Sequence, residues 1–199
     1  MNAIVRVDPK TKAVKRFPLP DNTGYTNLNT ASFDNNGMLW FTGQSGIYGK
    51  VDPTTEKVIV FPAPRGRGPY GIHTTPAGDV YYASLAGNHI AQINIKSGTA
   101  KPIDPPTPNQ GARRVWSDSK NRIWVSEWLA GKVGVYDTAT KQWREWKLPG
   151  SNPKAYAVYV DDQDIVWLSD FGANTIVRFD PKTEIFTSIN IPSPNGQVR

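Results

Sequence analysis

The chain repeats itself with a period of about 43 residues, and that period bounds the fold before any single motif is considered. Four segments share one pattern: Gly37 to Thr42 (GMLWFT), Gly78 to Ala83 (GDVYYA), Asn121 to Ser126 (NRIWVS) and Asp164 to Ser169 (DIVWLS). Their aligned aromatic residues, Trp40, Tyr81, Trp124 and Trp167, lie 41, 43 and 43 residues apart. A second marker recurs five times at Asp8, Asp52, Asn94, Asp137 and Asp180, with spacings of 44, 42, 43 and 43. Two independent markers keep the same period.

Each period divides into four strands on local grounds. An inner segment such as Tyr70–Thr75 or Tyr156–Val160 runs into a polar turn, and the aromatic segment follows. That segment is apolar on both faces of its pleat, as a strand covered on both sides requires. The third strand ends at the repeated Asp or Asn, where Asp-Pro-Lys-Thr at 8–11 and 180–183 fits a type I turn. The fourth ends in proline, at Pro20, Pro64, Pro106, Pro149 and Pro192, as suits an outer edge strand. No ten-residue stretch shows helical periodicity, and no Gly-His…Trp-Asp pair recurs. The expected fold is an all-β propeller of four-stranded antiparallel blades, with four to five blades in the chain.

The expected boundaries, within a single domain over 1–199, are a partial blade at 1–20, complete blades at 27–62, 70–104, 111–147 and 153–190, and the start of another at 196–199. The chain thus reads as an arc of a larger ring. A five-bladed ring that closes imperfectly, or open edges that self-associate between chains, are the alternatives. An arc exposes unpaired strands, so the expectation is that Ile4–Asp8 joins the C-terminal segment or that a second copy covers the edges.

Composition narrows the function. There is no cysteine among the 199 residues, hence no disulfide, thiolate metal site or cysteine nucleophile. No apolar run reaches the roughly 20 residues that span a bilayer, so no membrane association is expected. The formal charge of +6 is scattered, with tight pairs only at Arg65/Arg67 and Arg113/Arg114, which disfavours nucleic acid. A native start at Met1 implies the cytoplasm, and a trimmed N-terminus implies export.

Topology then locates a site. Inner-to-second and third-to-fourth turns share one face and carry the repetitive Asn-Gly and Asp-Pro turns. The other loops share the opposite face and vary, which is where binding residues concentrate. There the aromatic strands end at Gly43, Ser84, Glu127 and Asp170, followed by Gln44, Leu85, Trp128 and Phe171. The inner strands begin near Asn29, Tyr70, Arg113 and Tyr156. Tyr70, Arg113, Arg114, Glu127, Trp128, Tyr156 and Asp170 are therefore the candidate ligand-binding residues, for a small polar or peptidic ligand. The same carboxylates could instead cap loops or neutralise the arginines. His73 is expected between blades and His89 at a solvated loop end, neither of them catalytic. No catalytic or metal-ligating set is expected.

Gly68-Pro-Tyr-Gly-Ile72, Ile123-Trp-Val-Ser-Glu-Trp128, Phe171-Gly-Ala-Asn174 and Phe17-Pro-Leu-Pro20 together resemble the streptogramin-lyase (virginiamycin B lyase-like) family, along the whole chain. The resemblance implies a seven-bladed propeller, of which this chain would supply a little over four blades. It also implies Mg-assisted elimination that linearises streptogramin B antibiotics, with essential histidines on inner strands and a nearby glutamate. Glu127 matches the family's glutamate. The inner-strand position holds Asn29, Tyr70, Arg113 and Tyr156, none of them histidine, which favours ligand binding over the lyase reaction. The alternative reading is a non-catalytic protein-interaction scaffold.

Overall fold

A computed structural model describes residues 2–199 and contains eighteen strands and one short 3-10 turn at Asp21–Thr23. Strands β1 (Ala3–Val7) and β2 (Val14–Pro18) form a two-stranded sheet. Four antiparallel meanders follow: β3–β6 over Leu28–Phe33, Leu39–Gly43, Ile47–Val51 and Val58–Pro62, and β7–β10 over Pro69–Thr74, Val80–Ser84, His89–Ile93 and Ala100–Ile103. The third is β11–β14, over Ala112–Ser117, Ile123–Glu127, Lys132–Tyr136 and Trp143–Lys147. The fourth is β15–β18, over Ala155–Val160, Val166–Asp170, Thr175–Asp180 and Ile185–Asn190. These are propeller blades, as the period requires.

The second strand of each blade is sandwiched between neighbouring sheets. β8 and β12 are buried at all five residues. Between one pair of blades Trp124 packs with Val158, Leu168 and Phe179; between the preceding pair Tyr81, Ile90, Val115 and Val125 do so. Burying such a side chain stabilises the fold by about 2–3 kcal/mol, so each blade depends on its neighbours.

The rim bearing the tight turns repeats one device. Asp34, Asp118 and Asp161 each accept a hydrogen bond from the indole N–H six residues on, at Trp40, Trp124 and Trp167 (2.8, 2.9 and 2.8 Å). The same carboxylates accept backbone N–H groups two and four residues ahead. The β7–β8 turn swaps both partners together, with Thr75 for the aspartate and Tyr81 for the tryptophan. Neighbouring turns are tied to one another: Asn35 Nδ2 donates to the Pro76 carbonyl, Ala77 N to Asn121 Oδ1, and Ser119 N to Asp164 Oδ1.

The ends differ from the sequence expectation. Among the described residues β1 pairs only with β2, so the ring is not closed by strand pairing between Ile4–Asp8 and the C-terminal segment. Residues 192–195 bend and turn, and 196–199 form no strand where an inner strand is expected. Among the described residues no helix is long and apolar enough to cross a membrane.

Candidate functional site

The loop rim is built on a bulge that recurs in every blade. The ladder between inner and second strand slips between Leu28 and Ala31, Pro69 and Ile72, Ala112 and Arg114, and Ala155 and Val158. A bulge frees a backbone N–H and re-aims side chains. Hydroxyls one residue before the end of the second strand accept the freed donors: Thr42 Oγ1 from Thr30 N, Ser126 Oγ from Arg114 N, and Ser169 Oγ from Ala157 N (3.3, 3.1 and 3.1 Å). Thr42 and Ser126 also donate to the Tyr70 and Tyr156 carbonyls of the next blade along. The β7–β8 pair has Ala83 in that position and Gly71 on the bulge, where a Cβ would stand 2.7 Å from Arg114 Cα. This glycine lets β11 approach β7 closely.

The β11 bulge turns two consecutive residues, Arg113 and Arg114, toward the same rings. Their guanidinium carbons lie 4.7 and 5.1 Å from the Tyr70 ring centre, and 3.9 and 5.9 Å from that of Tyr156. Trp128 adds a third ring to Arg113 at 4.5 Å. Arg113 Nη2 donates to Tyr70 Oη, whose partner is Tyr156 Oη, both at 3.0 Å. Arg114 donates to Thr30 Oγ1, which donates in turn to Asn29 Oδ1. Trp128 and Phe171 are held over the wall by one repeated bond: Trp128 N donates to the Gly111 carbonyl and Phe171 N to that of Lys154, each at 3.0 Å. Phe171 stacks on Tyr156 at 4.5 Å.

Five of the seven predicted residues, Tyr70, Arg113, Arg114, Trp128 and Tyr156, thus form one continuous wall. Thr30 and Phe171 belong to it as well. Thr30 was hidden from sequence reasoning because only one residue per inner strand was aligned, whereas the bulge presents two.

Glu127 and Asp170 lie behind the wall. Asp170 is 1% exposed, and its Oδ1 accepts the N–H groups of Lys154, Gly172 and Ala173, which makes it a loop cap. Glu127 is fully buried on the face it shares with Ile123 and Val125, in the gap toward β7–β10. Its carboxylate sits against the Cα of Gly134, which leaves room for it, and neither oxygen has a hydrogen-bond partner. Burial pushes its pKa up to about 8, with Glu145 adding to the rise and Lys132 opposing it. Lys132 spends its ammonium elsewhere, on Glu145 Oε2 and Thr107 Oγ1 (3.0 and 2.6 Å).

His73 lies between blades as expected, stacked on Trp116 at 4.1 Å and bonded to Ser117 Oγ at 3.0 Å; burial holds its pKa down to about 4. His89 corrects the expectation of a solvated loop end. It opens β9 opposite Ser84, is 1% exposed, and points at Tyr82, because the first position of the third strand faces the neighbouring blade.

Tyr156 has unusual acidity for a phenol. Burial raises its pKa, but the hydrogen bonds with Tyr70 and Arg113 and the charges of Arg113 and Arg114 outweigh burial and hold it down to about 8. It stays a phenol below about 8 and becomes a phenolate above it. The wall does not fit Mg²⁺, which takes carboxylate and water oxygens in octahedral geometry. Two guanidiniums face the space, and both nearby carboxylates are buried behind it. Among the described residues no three His, Cys, Asp or Glu side chains group to hold a metal.

No family model matches the sequence, and no curated protein does. Solved structures match well in shape. Virginiamycin B lyase from Staphylococcus aureus superposes with a TM-score of 0.89 at 22% identity, covering 98% of this chain and 65% of the lyase. A catalytically inactive form of that enzyme, solved with quinupristin, gives the same values. A streptogramin B lyase reaches 0.87 at 24% identity, covering 98% of this chain and 64% of that one. The chain therefore spans about 65% of the length of these lyases. Its fold is a β-propeller of the virginiamycin B lyase type.

Proposed function

We propose that this propeller binds a small polar or peptidic ligand against the wall of Tyr70, Arg113, Arg114, Trp128 and Tyr156, and that recognition rather than streptogramin elimination is its role. The observation that carries this reading is the convergence of two guanidiniums, two phenols and an indole from three successive blades at the variable rim. Polar groups converging among aromatic faces are the usual make-up of a small-molecule site. The quinupristin held by an inactive lyase of the same fold lends the ligand class support. Against the elimination stand two histidines packed against aromatic rings between the blades and a wall that suits no Mg²⁺.

The binding half is tested by titrating N-acetylphenylalanine and its amide while following the fluorescence that Trp128→Phe removes. A saturable change with either compound supports the reading, and no change with either of them or with phenyl phosphate overturns it. The catalytic half is tested with quinupristin and Mg²⁺. The expected result is intact depsipeptide, and linearised product at an enzymatic rate overturns it.

A further inference from the structure

The charges on the wall specify its ligand further. Arg113 and Arg114 are adjacent cations over the same two rings, yet among the described residues neither forms an ion pair. Their partners are two hydroxyls and three π-faces, and Arg113 Nε is buried with no acceptor. Other acids of this rim do not pair with these arginines: Asp104 pairs with Arg65, Asp170 caps its loop through Oδ1, and Glu127 faces the blade gap. Two like charges held together in a half-buried wall focus positive potential into the space in front of them. A buried donor left unpaired costs about 1–3 kcal/mol. Among the described residues the pair of cations therefore has no internal counter-charge.

We propose that the ligand carries an oxyanion, a carboxylate or phosphate, that sits on Arg113 and Arg114 while a flat apolar part lies against Trp128 and Phe171. Guanidinium forks match both oxyanions bidentately, and the stacked Phe171, Tyr156 and Trp128 rings supply the flat surface. This inference rests on the ligand-binding reading above and narrows it to a charge class.

Tyr156 provides an internal reporter. Its phenol is kept acidic in part by the two arginines, so an oxyanion that neutralises them must shift its titration upward. By linkage, raising the pH through about 8 places a phenolate between the arginines and must weaken the bound anion. The charged and titratable groups facing Tyr156 are Arg113 and Arg114 on β11 and Tyr70 on β7.

The probes are N-acetylphenylalanine, N-acetylphenylalaninamide and phenyl phosphate, titrated into the full chain with Trp128 fluorescence and phenolate absorbance as readouts. The acid or the phosphate is expected to bind at least about tenfold more tightly than the amide, the loss of one charge-assisted bond. Comparison of the two anions shows which oxyanion the wall prefers. Arg114→Gln is expected to lose that advantage and Arg114→Lys to recover part of it. Arg114 is the residue to change, because Arg113 is packed among three rings and its replacement would loosen the wall. Equal binding of acid and amide overturns this inference and leaves the ligand-binding reading standing. Failure of all three probes to change either signal overturns both. Anion binding that Arg114→Gln leaves intact, with no shift of the Tyr156 titration, also overturns it.

Discussion

The two buried carboxylates that flank β12, one on each rim, are handled in opposite ways. On the turn rim Asp118 is 2% exposed and saturated: it accepts from Lys120 N, Arg122 N, Arg122 Nε and Trp124 Nε1. On the loop rim Glu127 is fully buried at the far end of the same strand, with both oxygens unpartnered. One carboxylate anchors the strand that the other ends. The turn rim repeats its chemistry from blade to blade because every blade needs the same turn. The loop rim shares no such turn from blade to blade, and two arginines without an ion pair among the described residues collect there.

The contrast is broken most directly at Asp118. Asp118→Ala leaves a buried indole N–H, two backbone donors and the Arg122 guanidinium without their acceptor. Orphaned buried groups of this kind cost about 3–4 kcal/mol in total. Chemical denaturation is expected to show that loss. A smaller loss than that of Glu127→Ala would mean that the saturated carboxylate is not the structural one of the pair.

Glu127→Gln sharpens the same contrast through pH. The folded-state pKa of Glu127 is raised to about 8 from an ordinary 4.5. Between those values the folded chain holds a proton that the unfolded chain releases. Stability therefore falls as pH rises from about 4.5 to about 8, by an amount on the order of 5 kcal/mol. Glu127→Gln is expected to flatten that slope and to be the more stable protein at pH 8, with little difference at pH 5. Parallel pH profiles of the two proteins would mean that Glu127 is ionised and compensated in the fold, and the contrast between rims would fail.

Much of this was legible in the chain, for identifiable reasons. The period fixed the blades because the sandwiched second strands must be apolar on both faces, and those strands are the most regular part of the sequence. Tyr70, Arg113 and Tyr156 could be aligned as equivalents because the bulge falls at the same place in each inner strand. Glu127 and Asp170 could not be told from wall residues, since a strand's last side chain faces the mouth or the blade gap by parity that depends on the bulge opposite. His89 misled for the same reason. The aspartate–tryptophan pairs six residues apart were present in the sequence, and the joint exchange to Thr75 and Tyr81 is the signal that marks them as partners.

The smallest expected effect tests whether the turn rim is as uniform in energy as it is in pattern. The turn after each third strand closes with a bond from residue i+4 to the carbonyl of the marker residue: Lys12 to Asp8, Glu56 to Asp52, Gly98 to Asn94, Lys141 to Asp137 and Glu184 to Asp180. That i+4 residue is left-handed in all five, with φ between 59° and 81°. Only one of the five is glycine, although a left-handed conformation costs other residues about 1–2 kcal/mol. Glycine has its own cost in the unfolded chain, roughly 0.5–1 kcal/mol, so the net advantage of glycine at such a site is small and positive. Gly98 is held by a different constraint. A Cβ there would run into the Phe61 ring, and Tyr48 Oη of the preceding blade reaches the Gly98 carbonyl at 2.8 Å. Lys141 meets no such neighbour; its ammonium makes one exposed bond to the Thr138 carbonyl. Lys141→Gly is therefore expected to stabilise the chain by about 0.5 kcal/mol, and Gly98→Lys to destabilise it by several times as much through the clash with Phe61. Matched denaturation midpoints read both. Equal and opposite shifts would show that backbone conformation alone decides these turns, whereas a much larger loss at Gly98 shows that contact between blades is what keeps one copy of the turn from varying.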